Sequence, residues 1–193
     1  MVTSNRGVMK NNQKELLSDL KNRTLENRQQ AEELMALSET QLNAKPSPES
    51  WSALEAIEHL NRYGDFYIPE IKKRLNKAKK EDRQRTFKSG LLGNKFAKMM
   101  LPDAKEMQTF KVMNPEGSEL DKTVLKTFIE QQTQILDLLD RSENVNMNKV
   151  KTSISISKWL KLKLGDTFRV VIYHNQRHIL QAKRATRQAE KAA

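Results

Sequence analysis

The chain has 193 residues, no cysteine and a formal net charge of +11. That length suits one domain able to bury a core without disulfides or a structural metal. The absence of cysteine excludes disulfides, zinc–thiolate and iron–sulfur centres and a cysteine nucleophile.

The first residues, MVTSNRGVMKNNQKELL, lack the apolar run of a signal peptide. No aliphatic stretch is long enough to span a bilayer. The expectation is a soluble cytoplasmic protein, with a flexible segment over 1–12, one domain over 13–188 and a flexible tail over 189–193.

In chain order, the first predicted helix covers 13–42, with Leu16, Leu17, Leu20, Leu25, Leu34, Leu37 and Leu42 on its apolar side. AKPSPES follows as a linker with two prolines. Ser50 is a candidate cap for a second helix that begins near Trp51 and carries Leu54, Ile57, Leu60, Tyr63, Phe66 and Tyr67. Pro69 predicts a kink in it. Residues 84–117 read as a long crossover or functional loop, with a short helix at 94–101. A third long helix spans about 118–141, with Ser118 or Asp121 as cap. TSISISKWL alternates like a strand but has no obvious partner, so an extended loop and a turn of helix are expected there. Asp166 is a candidate cap for the last helix, 166–188. Trp51 and Trp159 read as packing residues at helix starts. Four long helical patterns without a credible sheet predict an all-α four-helix bundle.

Charge is uneven along this chain. Residues 72–111 hold 13 Lys and Arg against 4 Asp and Glu, and residues 145–193 hold 11 against 2. Such segments suit a nucleic acid or an acidic partner, or simply a solvated surface. No aromatic residues read as interleaved with the basic clusters, which disfavours nucleic acid.

The histidines carry the strongest chemical signal. His174 and His178 are one helical turn apart on the last helix, and their face continues to Val170, Val171 and Gln181. An i, i+4 pair is a bidentate clamp for a transition metal. His59, the third histidine, shares a face with Leu60, Tyr63 and Phe66 on the second helix. If those helices are neighbours, three neutral imidazoles converge and leave coordination positions open, as in catalytic metal sites. The alternative is three buried histidines bonded to their surroundings.

Two segments, KPSPESWSALEAIEHLNRYGDFYIPEI (45–71) and SISKWLKLKLGDTFRVVIYHNQRHILQAKR (155–184), resemble the DinB-like proteins, also called DinB/YfiT-like metalloenzymes. The first carries Trp51-Ser52 ahead of His59, and the second carries H-x-x-R-H-x-x-Q. The resemblance covers about residues 13–188, with 76–117 more basic than the family pattern. It implies an up-down-down-up bundle with a long crossover between helices 2 and 3. It also implies a divalent metal, nickel or zinc before manganese or iron, on His59, His174 and His178. Thiol transfer to an electrophile, or hydrolysis, is the implied chemistry, with a small-molecule substrate and a homodimer among the implied partners.

Around those ligands, Arg177 is a candidate for a substrate anion or a salt bridge. Gln181 is a candidate to orient a ligand imidazole or a bound water. Glu55, one turn before His59, is a candidate acceptor or fourth ligand, and Tyr63 a candidate donor or core residue. The competing function is a non-enzymatic basic protein that binds nucleic acid or an acidic partner.

Overall fold

A computed structural model describes residues 10–81, 85–105 and 108–192. It is mostly helical, with six helices and two small strand pairs. Most of the expected flexible N-terminal segment lies outside the described residues. Lys10–Asn12 forms a short strand, β1, and Asn12 caps the helix that follows by accepting from the Lys14 amide.

That helix, α1, covers Gln13–Leu34 and buries Leu16, Leu17, Leu20, Ala31 and Leu34. The expected single helix over 13–42 is divided. Ser38 and Gln41 form a reciprocal capping box that starts a separate short helix, α2, at Glu39–Asn43. A capping box satisfies orphan amides at a new N-terminus, so it opens a helix rather than continuing one. Leu25, expected on the apolar side, is instead exposed, because it falls off the stripe of Leu20, Thr24, Asn27 and Ala31 that α1 buries.

The second long helix, α3, runs Ala53–Asn76 and is capped by Ser52 with Glu55, not by Ser50. Pro69 removes one backbone donor but lies inside the helix, which continues for two turns beyond it. The crossover contains strand β2 at Thr86–Lys88, helix α4 at Leu91–Met99 and a single 3-10 turn at Lys111–Met113. β2 pairs antiparallel with β1. Helix α5, Thr123–Arg141, begins where Asp121 accepts from the Thr123 amide.

The SISISKWL region is the clearest departure from expectation. Lys151–Ile154 (β3) and Ser157–Lys163 (β4) form an antiparallel hairpin, with Lys151 opposite Lys163 and an irregularity after Ser153. The missing partner strand was the second half of the same stretch. Trp159 on β4 does not pack, since it is 94% exposed. The last helix, α6, covers Leu164–Ala192.

Asp166 does not simply cap α6. It is fully buried, accepts from the Ser89 hydroxyl and the Gly90 amide, and faces the Arg169 guanidinium at 3.3 Å. Arg169 also donates to Asn94 at 3.1 Å. This buried group fastens the start of α4 to the start of α6.

The four long helices make the core. α3 packs on α5 and α6, and α1 packs on the same two helices. Asn61 donates to the Val124 carbonyl near the start of α5, and Asn76 meets Arg141 at its end, so α3 and α5 run the same way. Lys21 meets Asp140 and Glu143, so α1 opposes α5. Gly64 lets α3 approach α5 closely, because a Cβ there would meet the Gln131 amide at 2.0 Å. No described helix is long and apolar enough to cross a membrane.

Candidate metal centre

α3 and α6 bring the three histidines together. His59 faces α6 because it shares the buried stripe of α3 with Ala56 and Leu60. His174 and His178 project toward it from successive turns of α6. The ring centroids of the three imidazoles lie 4.6–5.0 Å apart. One ligand nitrogen from each falls within 4.8 Å of the others.

Each ring has a defined neighbourhood. His59 donates from Nδ1 to the Met113 carbonyl at 2.8 Å, which leaves its Nε2 as a lone pair. His178 donates from Nδ1 to Gln181 Oε1 at 2.6 Å, which leaves its Nε2 free in the same way. His59 Nε2 and His174 Nε2 stand 3.2 Å apart. Two imidazole nitrogens at about 2.1 Å from a common ion are about 3.0–3.4 Å apart, so that spacing fits a shared ligand position. Metal-binding histidines normally donate their second nitrogen to a carbonyl or similar acceptor, and two of the three do so here.

Electrostatics favour the neutral, metal-competent form. Burial lowers the His59 pKa to about 4, against the opposing Met113 hydrogen bond and with a small contribution from Arg62. Burial and the neighbouring His59 lower His178 to about 3. Burial holds His174 well below its ordinary value, and the other two imidazoles and Arg177 push the same way. The residues present therefore fit a divalent ion: three neutral donors, two of them oriented by acceptors, with no carboxylate among the described residues in the cluster itself.

The histidines sit at the floor of a cavity of about 680 Å³. Trp51 forms one wall, with its ring 4.9 Å from His59 and 6.0 Å from His178. Tyr63 forms another, edge-on to His174 at 4.7 Å. Its phenol is pushed up to about 12, chiefly by burial, so it stays an O–H donor. Crossover residues Met100, Pro102 and Phe110 complete the rim.

The neighbouring candidates have different partners. Gln181 touches His178 directly. Arg177 lines the cavity, but its guanidinium donates to the carbonyls of Met99, Leu101 and Lys105. It fastens the crossover above the histidines, at the C-terminal end of α4 where a cation is favoured. Glu55 is buried, but its carboxylate accepts from the Ser52 and Gly117 amides and pairs with Lys45 at 2.9 Å. It holds the N-terminus of α3 in place. Sequence reasoning missed Met113, whose contribution is a backbone carbonyl that any residue type provides.

The fold and site define a helical protein with a three-histidine cluster able to hold one metal ion. The chain belongs to the DinB superfamily, whose family model matches residues 23–182. No curated protein and no solved structure matches it.

Proposed function

We propose that the protein is a metal-dependent enzyme in which His59, His174 and His178 hold one divalent ion, nickel or zinc before manganese or iron, and that it transfers a low-molecular-weight thiol to an electrophile or catalyses a hydrolysis. The carrying observation is the convergence of three neutral imidazoles at the floor of an open cavity, without a fourth protein ligand among the described residues. The packing directions of the long helices support an up-down-down-up bundle with residues 77–122 as its crossover. A small-molecule substrate suits the cavity, and a homodimer is the assembly we expect.

Such an ion supplies Lewis acidity to a water or thiol. A set of three neutral donors would leave the ion's charge uncompensated, which suits an anionic partner in the cavity, hydroxide for hydrolysis or thiolate for transfer. Lacking cysteine, the chain takes its thiol from a cosubstrate. Gln181 fixes the His178 ring, and the Met113 carbonyl fixes His59. Trp51 and Tyr63 give the cavity apolar walls, and the Tyr63 hydroxyl remains available to donate to a bound anion.

Elemental mass spectrometry on untagged wild type and His174→Ala tests the centre. About one ion per chain in the wild type, lost in the variant, is expected. Consumption of small thiols by electrophiles, dependent on that ion, tests the reaction. Absence of metal in both proteins after incubation with nickel, zinc and manganese refutes the reading.

A further inference from the structure

The two basic segments of the sequence meet in space, away from the histidines. A cleft of about 450 Å³ lies between the end of α3 and the β3–β4 hairpin. Arg74, Lys77 and Lys79 line it from one segment, and Lys149, Lys151 and Lys161 from the other. Arg74 lies fifteen residues beyond His59 on the same helix, about 22 Å along its axis.

Acidic groups neutralise only part of this cleft. Glu70 pairs with Arg74 at 2.8 Å. Glu81 pairs with Arg85 and approaches Lys149 at 3.9 Å. Among the described residues, no ion pair involves Lys77, Lys79, Lys151 or Lys161. Among the described residues, four lysines therefore line one concavity outside any ion pair, with Glu81 the one acid on its wall, an arrangement that favours entry of an anion.

Trp159 adds a second, independent feature. It lies two residues before Lys161 on β4, so both side chains leave the same face of the strand. Its indole is almost wholly exposed, at 94%, although burying it would be favourable. A large exposed aromatic beside a lysine-lined groove matches the chemistry of single-strand binders: cations track the phosphates while a base stacks on the ring. A flat bilayer surface fits less well, because lysines inside a cleft do not all reach a plane.

We propose that this cleft binds single-stranded nucleic acid, with the phosphodiester backbone along Lys77, Lys79, Lys151 and Lys161 and a base on Trp159. The inference does not depend on the metal centre.

Fluorescence anisotropy of full-length protein with fluorescein-labelled dT20, rU20 and a matched duplex at 50 mM NaCl tests it. Binding of either single strand with a Kd in the micromolar range is expected, with a log–log salt slope near −3 from about four phosphate contacts. Trp159→Ala weakens it about tenfold. Lys151→Glu with Lys161→Glu weakens it at least tenfold and reduces the slope by about 1.4. Both variants change exposed side chains, and unchanged circular dichroism and metal content show that they fold. Three results overturn the proposal: no binding to either single strand, binding that neither variant alters, or tighter binding to phosphatidylserine vesicles than to both single strands.

Discussion

In the metal-free protein, His59 makes stability fall as the solution is acidified through a defined window. Its folded pKa is about 4, below the ordinary value of 6.5. The unfolded chain therefore takes up a proton below pH 6.5, while the folded chain resists until about pH 4. Stability from this group is fully present above pH 6.5 and is lost progressively down to about pH 4. Each pH unit inside that window costs about 1.4 kcal/mol, so acidification from 7.5 to 5.0 costs about 2 kcal/mol through His59 alone. Urea denaturation of chelator-treated wild type and His59→Gln at both pH values measures the contribution of His59 together with its coupling to His174 and His178. The wild type is expected to lose about 2 kcal/mol more than the variant. Equal losses refute the claim that His59 is held neutral by burial.

Three further outcomes follow from named contacts. Gln181→Leu leaves His178 Nδ1 without its acceptor and is expected to weaken metal affinity about 10- to 100-fold, measured by competition with a chromogenic chelator. Arg177→Ala removes three carbonyl contacts, and hydrogen exchange over residues 99–105 is expected to rise while helicity stays intact. Asp166→Ala leaves Arg169 charged and buried without its acid, and is expected to cost about 3–5 kcal/mol of stability by urea denaturation.

The long helices were legible because their apolar periodicity persists over many turns, as at Leu54, Ile57 and Leu60. The three histidines were legible because His174 and His178 share a helical face. The β3–β4 hairpin was not, because its two strands join through only Ser155 and Ile156, neither of which is a turn-forming glycine, asparagine or proline. Aromatic character reports a preference for burial, whereas burial depends on a surface packed over that position, and nothing packs over Trp159 among the described residues. Leu37 and Leu42 fitted the first helix by spacing, yet the Ser38–Gln41 capping box divided it. Arg177 was located at the right height on α6, but its carbonyl partners come from a crossover whose path no local pattern specifies. The buried Asp166–Arg169 group is not legible in the sequence, because Asp166 also matches a helix cap and its partners Ser89 and Asn94 are more than seventy residues away.

The crossover is attached to the histidine cluster and the helices that carry it largely through main-chain carbonyls. His59 holds Met113, Arg62 holds Asn114, and Arg177 holds Met99, Leu101 and Lys105. Every residue type carries a carbonyl, so substitutions along this segment leave those attachments in place while replacing the side chains that line the cavity. Selection can therefore rewrite the rim of the cavity without disturbing the ligands beneath it. Descendants of one ancestral chain can diverge in the shape of that rim while keeping the same three histidines.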